Sequence, residues 1–127
     1  MKKINYLALP LIVLSLCSCS KYKAFILVTE NHGNQASMKF DEFEGQYEFK
    51  LKKKSAGDGA ISFWGSVEDG AIDVTYVYNG VESLLFTVTS GESVRDQKGS
   101  FKQSDKIKIV VKSNCKSLNG DFTFNIN

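Results

Sequence analysis

An all-β fold is what this 127-residue chain predicts, and three observations carry the prediction. Short runs in which apolar and polar residues alternate fill the chain after residue 22. Glycine-containing turn signals separate them at intervals of about ten residues. No 3.6-residue periodicity persists beyond a turn or two. Alternation with one wet face belongs to antiparallel sheets, so the expected architecture is an antiparallel β-sandwich, jelly-roll-like or immunoglobulin-like, of about eight to nine short strands, with a small β-barrel as the alternative.

The expected strands, in order, are 23–29, 37–43, 46–53, 60–68, 71–78, 82–89, 98–102, 106–112 and 120–126. Three of them declare an inner face directly: Tyr47, Phe49 and Leu51; Ile107, Ile109 and Val111; Phe122, Phe124 and Ile126. The residues between these are mostly polar or charged, as a solvated outer face requires. Glu30-Asn31-His32-Gly33-Asn34 reads as a turn after the first strand. No repeat, low-complexity tract or long linker interrupts the pattern.

The middle of the chain permits a finer reading. Asp69-Gly70 suits a two-residue type I′ turn. A hairpin closed there pairs Val67 with Ile72, Gly65 with Val74, Phe63 with Tyr76 and Ile61 with Tyr78 on one face. The other face then carries Ser66 with Asp73, Trp64 with Thr75 and Ser62 with Val77. A one-residue slip would reverse the separation, which supports the register. For the next turn, a three-residue Tyr78-Asn79-Gly80 loop buries Leu84 and Phe86, and sets Ser83 beside Thr75. Trp64, the only tryptophan, then looks outward from Ser62, Ser66, Asp73, Thr75 and Ser83. An indole framed by short hydroxyls and a carboxylate suits a sugar ring, which stacks on it while polar groups exchange hydrogen bonds around the edge. The competing expectation is a Trp64 covered by a loop or by the other sheet, since large aromatics are mostly buried.

The N-terminus carries a different kind of signal. Lys2 and Lys3 precede an apolar stretch from Leu7 to Leu16, which ends in Leu16-Cys17-Ser18-Cys19. The stretch contains Pro10 and is about ten residues long, half of what a membrane-spanning helix needs. The tetrapeptide resembles the bacterial lipobox, with Leu three residues before the modified cysteine and a small residue directly before it. Cys19 fits that pattern; Cys17 fits it less well, because Leu16 takes the small-residue position. The resemblance implies a signal peptide over 1–18, lipidation of Cys19, a tether over 19–22 and a single domain over 23–127. It also implies an exported protein held to the extracytoplasmic face of a membrane by its acyl chains.

Loss of Lys2 and Lys3 with the signal leaves fourteen basic against fourteen acidic residues. A mature chain near neutrality lacks the dense positive footprint of nucleic-acid binding. The one basic run is Lys50-Leu51-Lys52-Lys53-Lys54, with Lys50, Lys52 and Lys54 on one strand face. It reads as a solvated strand end guarding a sheet edge, or as a contact for anionic lipid or wall polymer. Lys21 and Lys23 stand where they can touch head groups.

Catalytic signatures are missing. His32 is the only histidine, and no pair of His or Cys residues has metal-ligand spacing. No Gly-x-Ser-x-Gly elbow or phosphate-binding loop is present. Asp41-Glu42 and Glu68-Asp69 are sequence neighbours, which point to opposite faces of a strand. With Cys19 acylated, Cys115 is left as a lone thiol in a polar turn, and no intrachain disulfide can form. The expectation is therefore a non-catalytic binding module without metal or cofactor. Its ligand is a glycan or wall fragment held at Trp64, or else its partner is an envelope protein docked through an edge or loop. Segments 30–36, 55–59 and 90–98 are the expected recognition loops.

Overall fold

Period-two alternation carries all the regular structure of the computed structural model, which describes residues 21–127. The expected signal peptide and Cys19 lie outside the described residues. Eight strands follow one another: β1 Lys21–Phe25, β2 Val28–Asn31, β3 Gln35–Lys52, β4 Gly59–Asp69, β5 Ala71–Tyr78, β6 Val81–Thr89, β7 Glu92–Phe101 and β8 Lys106–Ile126. All pairings are antiparallel, and the strand order β1-β3-β8-β4-β7 is open at its edges. The fold is a jelly-roll-like antiparallel β-sandwich and not a closed barrel.

Two long strands build both layers. Residues 35–43 of β3 pair with 117–125 of β8, and residues 45–52 pair with 106–113. Between the two halves the chain folds over, so that the Lys52 amide donates to the Gly33 carbonyl at 2.9 Å. The first layer holds β2, the first half of β3, the second half of β8, β4 and β7. The second holds the remaining halves of β3 and β8 with β5 and β6. β1 runs along the bend, opposite residues 42–46. Gly45 makes the bend possible: its φ is 120°, and a Cβ there would lie 2.3 Å from the Lys21 carbonyl oxygen. The expectation of separate strands over 37–43 and 46–53, and over 106–112 and 120–126, is thus corrected. Each pair is one bent strand.

The core fills the gap between the layers. Met38, Phe40, Ile61, Ile72, Ile109, Phe122 and Ile126 are essentially inaccessible, and every fully buried core residue lies between Ala36 and Ile126. These residues form one contiguous core between the two layers.

Three local expectations are overturned. Asp69-Gly70 does not close a hairpin. β4 pairs with β7 and β8, whereas β5 pairs with β6 and β8, so Gly70 carries the chain from one layer to the other. The inward sides of β4 and β5 face each other across the core, and the same alternation is satisfied that way. The next loop has two residues, with Tyr78 opposite Val81 and positive φ at both Asn79 and Gly80, the type I′ geometry. A bulge opposite Val74/Thr75 then turns Leu85 and Phe86 both inward and leaves Leu84 53 % exposed. Finally, β7 runs from Glu92 and not from residue 98. As an edge strand paired only with β4 it can remain polar almost throughout.

Candidate functional site

Trp64 stands on the outer face of β4, between Ser62 and Ser66, with Phe63 and Gly65 turned inward. That facing agrees with the alternation. The surround does not. Asp73, Thr75 and Ser83 belong to the second layer, where Asp73 pairs with Lys112 and Thr87, Thr75 with Val110 and Leu84, and Ser83 with Tyr76. Their hydrogen bonds lie there too: Thr87 donates to Asp73 at 2.7 Å, and Thr75 to Glu82 at 2.7 Å. Of the six residues expected to form the platform, the structure keeps Ser62, Trp64 and Ser66 together and removes the other three to the opposite side of the sandwich.

What surrounds Trp64 is set by register. Arg95 of β7 and Thr123 of β8 are its direct cross-strand partners. Ser37 lies opposite Thr123, and Glu30 opposite Ser37. One row thus crosses all five strands: Arg95, Trp64, Thr123, Ser37, Glu30. Beside it runs a second row of Gln97, Ser62, Asn125 and Gln35. At about 4.8 Å per strand the first row spans about 19 Å and the second about 14 Å. Both are made of side chains that donate and accept hydrogen bonds, with a single aromatic near one end.

The two rows line an open cleft of about 740 Å³. Trp64 is half-buried in it. The rim carries Arg95 on one side. On the other, His32 Nε2 lies 3.4 Å from Glu30 Oε1, and both side chains are largely exposed. Asn125 Oδ1 is the one buried side-chain oxygen or nitrogen without a hydrogen-bond partner among the described residues. An unpaired buried acceptor is costly, and this one belongs to a residue lining the cleft. Two of the three expected recognition segments border the site: 30–36 supplies Glu30, His32 and Gln35, and 90–98 supplies Arg95 and Gln97. The third, 55–59, lies at the end of the sandwich where Lys52 meets Gly33.

Arg95, Gln97, Thr123, Asn125, Ser37 and Glu30 were not singled out by sequence. For β8 a signal existed, since the inward Phe122, Phe124 and Ile126 leave Asp121, Thr123 and Asn125 outward. For β7 there was none, because its apolar positions are too few to show a face. Cys115 is exposed at the bend; the nearby buried hydroxyls of Ser113 and Ser117 share a 2.7 Å hydrogen bond, and Ser113 donates to the Cys115 carbonyl at 2.6 Å. Among the described residues no group of three or more His, Cys, Asp or Glu side chains is arranged to hold a metal ion.

No protein-family model matches the chain, and no curated protein matches it either. Solved structures do. The structure of TmCBM61 in complex with β-1,4-galactotriose superimposes with a TM-score of 0.52 at 20% identity, covering 87% of this chain and 88% of that one. A family 29 carbohydrate-binding module complexed with cellohexaose gives 0.43 at 18% identity over 84% and 78%. A cupin-2 domain protein from Shewanella frigidimarina gives 0.38 at 10% identity over 89% and 87%. The last two are too distant to argue from. The first is a likeness of fold, and it places this chain among sandwiches built like that carbohydrate-binding module.

Proposed function

We propose that this protein is a non-catalytic glycan-binding module of the cell envelope, held to a membrane through acyl chains on Cys19, and that its ligand lies along the Trp64 row. The observation that carries the reading is the row itself. A single half-buried indole stands in register with Arg95, Thr123, Ser37 and Glu30 in an open cleft long enough for several sugar units. The ring offers a flat apolar surface to the C–H face of a sugar, and the hydroxyl and amide side chains meet its equatorial hydroxyls. Asn125, whose Oδ1 has no hydrogen-bond partner among the described residues, lines the cleft beside these side chains.

The galactotriose held by TmCBM61 makes β-1,4-galacto-oligosaccharide the first probe. Trp64 emission is titrated with β-1,4-galactotriose and with a panel of other neutral β-linked oligosaccharides, and Trp64→Ala is followed by calorimetry. A saturable emission change, together with a calorimetric heat of binding that Trp64→Ala abolishes, supports the reading; the absence of both across the panel sinks it. Unaltered oligosaccharide after long incubation is the expected sign of binding without turnover. Anchoring is tested by metabolic labelling with a fatty acid, which Cys19→Ser is expected to abolish.

A second reading, docking of an envelope protein, draws on Phe25, Ile26 and Val28. These are 58%, 59% and 56% exposed at the corner between β1 and β2, where Ile26 holds a φ of 51° that costs a β-branched residue energy. It predicts partner binding that is indifferent to Trp64→Ala.

A further inference from the structure

The outer face of the second layer brings four lysines together. Lys50 stands directly opposite Lys108 across β3 and β8, and Lys52 directly opposite Lys106. Like charges in that relation repel and destabilise a sheet. The four lysines line a cleft of about 400 Å³ whose floor and rim include Val77 and the Asn79-Gly80 turn. Glu48 lies 3.9 Å from Lys108. The nearby Asp105 carboxylate is already engaged, accepting from the Tyr78 hydroxyl at 2.8 Å and the Lys102 amide at 2.7 Å. With Glu48 and Glu82 both acting on Lys108, the local positive excess is carried by Lys50, Lys52 and Lys106, which the fold brings together from two distant strand segments.

We infer that the lysine end is the surface on which the domain rests against anionic lipid head groups, with the Trp64 face turned away from the membrane. Three relationships support it. Extended strands present the lysines as a broad array, which suits a plane of head groups, and basic clusters near a membrane surface are attracted in proportion to their number. The Trp64 rows lie on the outer side of the first layer and the lysines on the outer side of the second. Resting on the lysines therefore leaves the glycan cleft open to the envelope space. β1 begins at Lys21 opposite Gln46 and runs antiparallel to β3, so its backbone leads back toward the Lys50–Lys52 end of that strand, with Cys19 only two residues upstream in sequence. The inference rests on the envelope placement proposed above and is independent of the glycan.

The test uses residues 20–127, which carry every core residue named above, so that no acyl chain contributes; a cooperative urea unfolding transition first shows that this chain is folded. The protein is sedimented with phosphatidylcholine vesicles, with and without phosphatidylglycerol, at low and high salt. Binding is expected only with phosphatidylglycerol and is expected to fall as salt screens it. Reversing Lys50, Lys52 and Lys106 to Glu is expected to lower it by roughly a hundredfold, while oligosaccharide titration at Trp64 stays as in the parent. Reversing Lys39, Lys98 and Lys116 instead changes net charge equally and is expected to retain most of the binding. Equal loss in both triple variants overturns the inference, because net charge alone then explains it. So does binding to soluble polygalacturonate without binding to vesicles, which would make the lysine cleft a site for an acidic polymer. Failure of the glycan titration leaves this result readable, and the reverse also holds.

Discussion

Phe63 of β4 and Phe86 of β6 stack face to face across the gap between the two layers, their ring centroids 4.6 Å apart and their planes 5° from parallel. Neither strand pairs with the other, so the contact belongs to the tertiary fold alone. Phe86 also lies within 6.2 Å of Phe122 and 6.4 Å of Phe124, which joins β8 to the same stack. Truncating a buried aromatic of this kind costs about 3–5 kcal/mol. Phe86→Ala is therefore expected to lose that much in urea unfolding, and Phe86→Leu clearly less. A loss below about 1 kcal/mol for the alanine variant would mean that the rings do not meet in a packed core.

Gly65 sits beneath this stack. A Cβ added there would lie 2.6 Å from the Phe122 ring and 2.9 Å from that of Phe86, closer than carbon atoms tolerate. Gly65→Ala is expected to destabilise by about 1–3 kcal/mol through overpacking, even though alanine suits a strand no worse than glycine does. Thermal unfolding measures it, and an unchanged midpoint would show that the layers separate easily at this point.

The cleft and the opposite face make contrary claims about binding. Arg95→Ala and Asn125→Ala are expected to weaken oligosaccharide binding about five- to tenfold each, the usual consequence of losing one hydrogen-bonding group. Asp73→Ala and Thr75→Ala are expected to leave it unchanged, since both residues lie on the other layer. Calorimetric titration of the four variants decides the matter, and a loss confined to the second pair would restore the hairpin-based surround.

One contribution to acid stability comes from the loop before β8. Asp105 is held below the usual carboxylate range, first by the Lys102 amide and then by the Tyr78 hydroxyl, both of which donate to it. A depressed folded value means that the carboxylate stabilises the fold above its unfolded pKa, 3.8, and that this stabilisation is lost as pH falls through the folded value. Asp105→Asn is expected to melt below the parent at neutral pH, with the gap narrowing under strongly acidic conditions. The hydrogen bond to Asp105 likewise raises the Tyr78 pKa, so the protonated phenol is favoured in the folded state. That contribution is lost as pH rises through the folded value, above 10.0, and Tyr78→Phe is expected to remove this alkaline limb. Melting curves across the pH range that coincide for parent and variants would contradict the assignment.

Facing was legible along the chain because the β pleat repeats every two residues and is a local property. Ile61, Phe63 and Val67 point inward, Ser62, Trp64 and Ser66 outward, and the β5 alternation of Ile72 and Val74 with Asp73 and Thr75 was read equally well. Partnership was not legible. The apolar sides of β4 and β5 are as well satisfied facing each other across a core as lying side by side in one sheet, so alternation cannot choose between the two. Gly45 and the stretch from Ser113 to Ser117 looked like ends of strands, whereas the folded chain uses them as corners in β3 and β8. The bulge that buries both Leu85 and Phe86 answers to the space left by Phe63 and Phe122, which no window of sequence contains. The candidate site follows the same division. That Trp64 faces outward was determined locally, whereas the tertiary structure chose Arg95 and Thr123 as its neighbours. Cross-strand partners are set by which strands share a layer, and that is settled by burying the whole apolar surface at once.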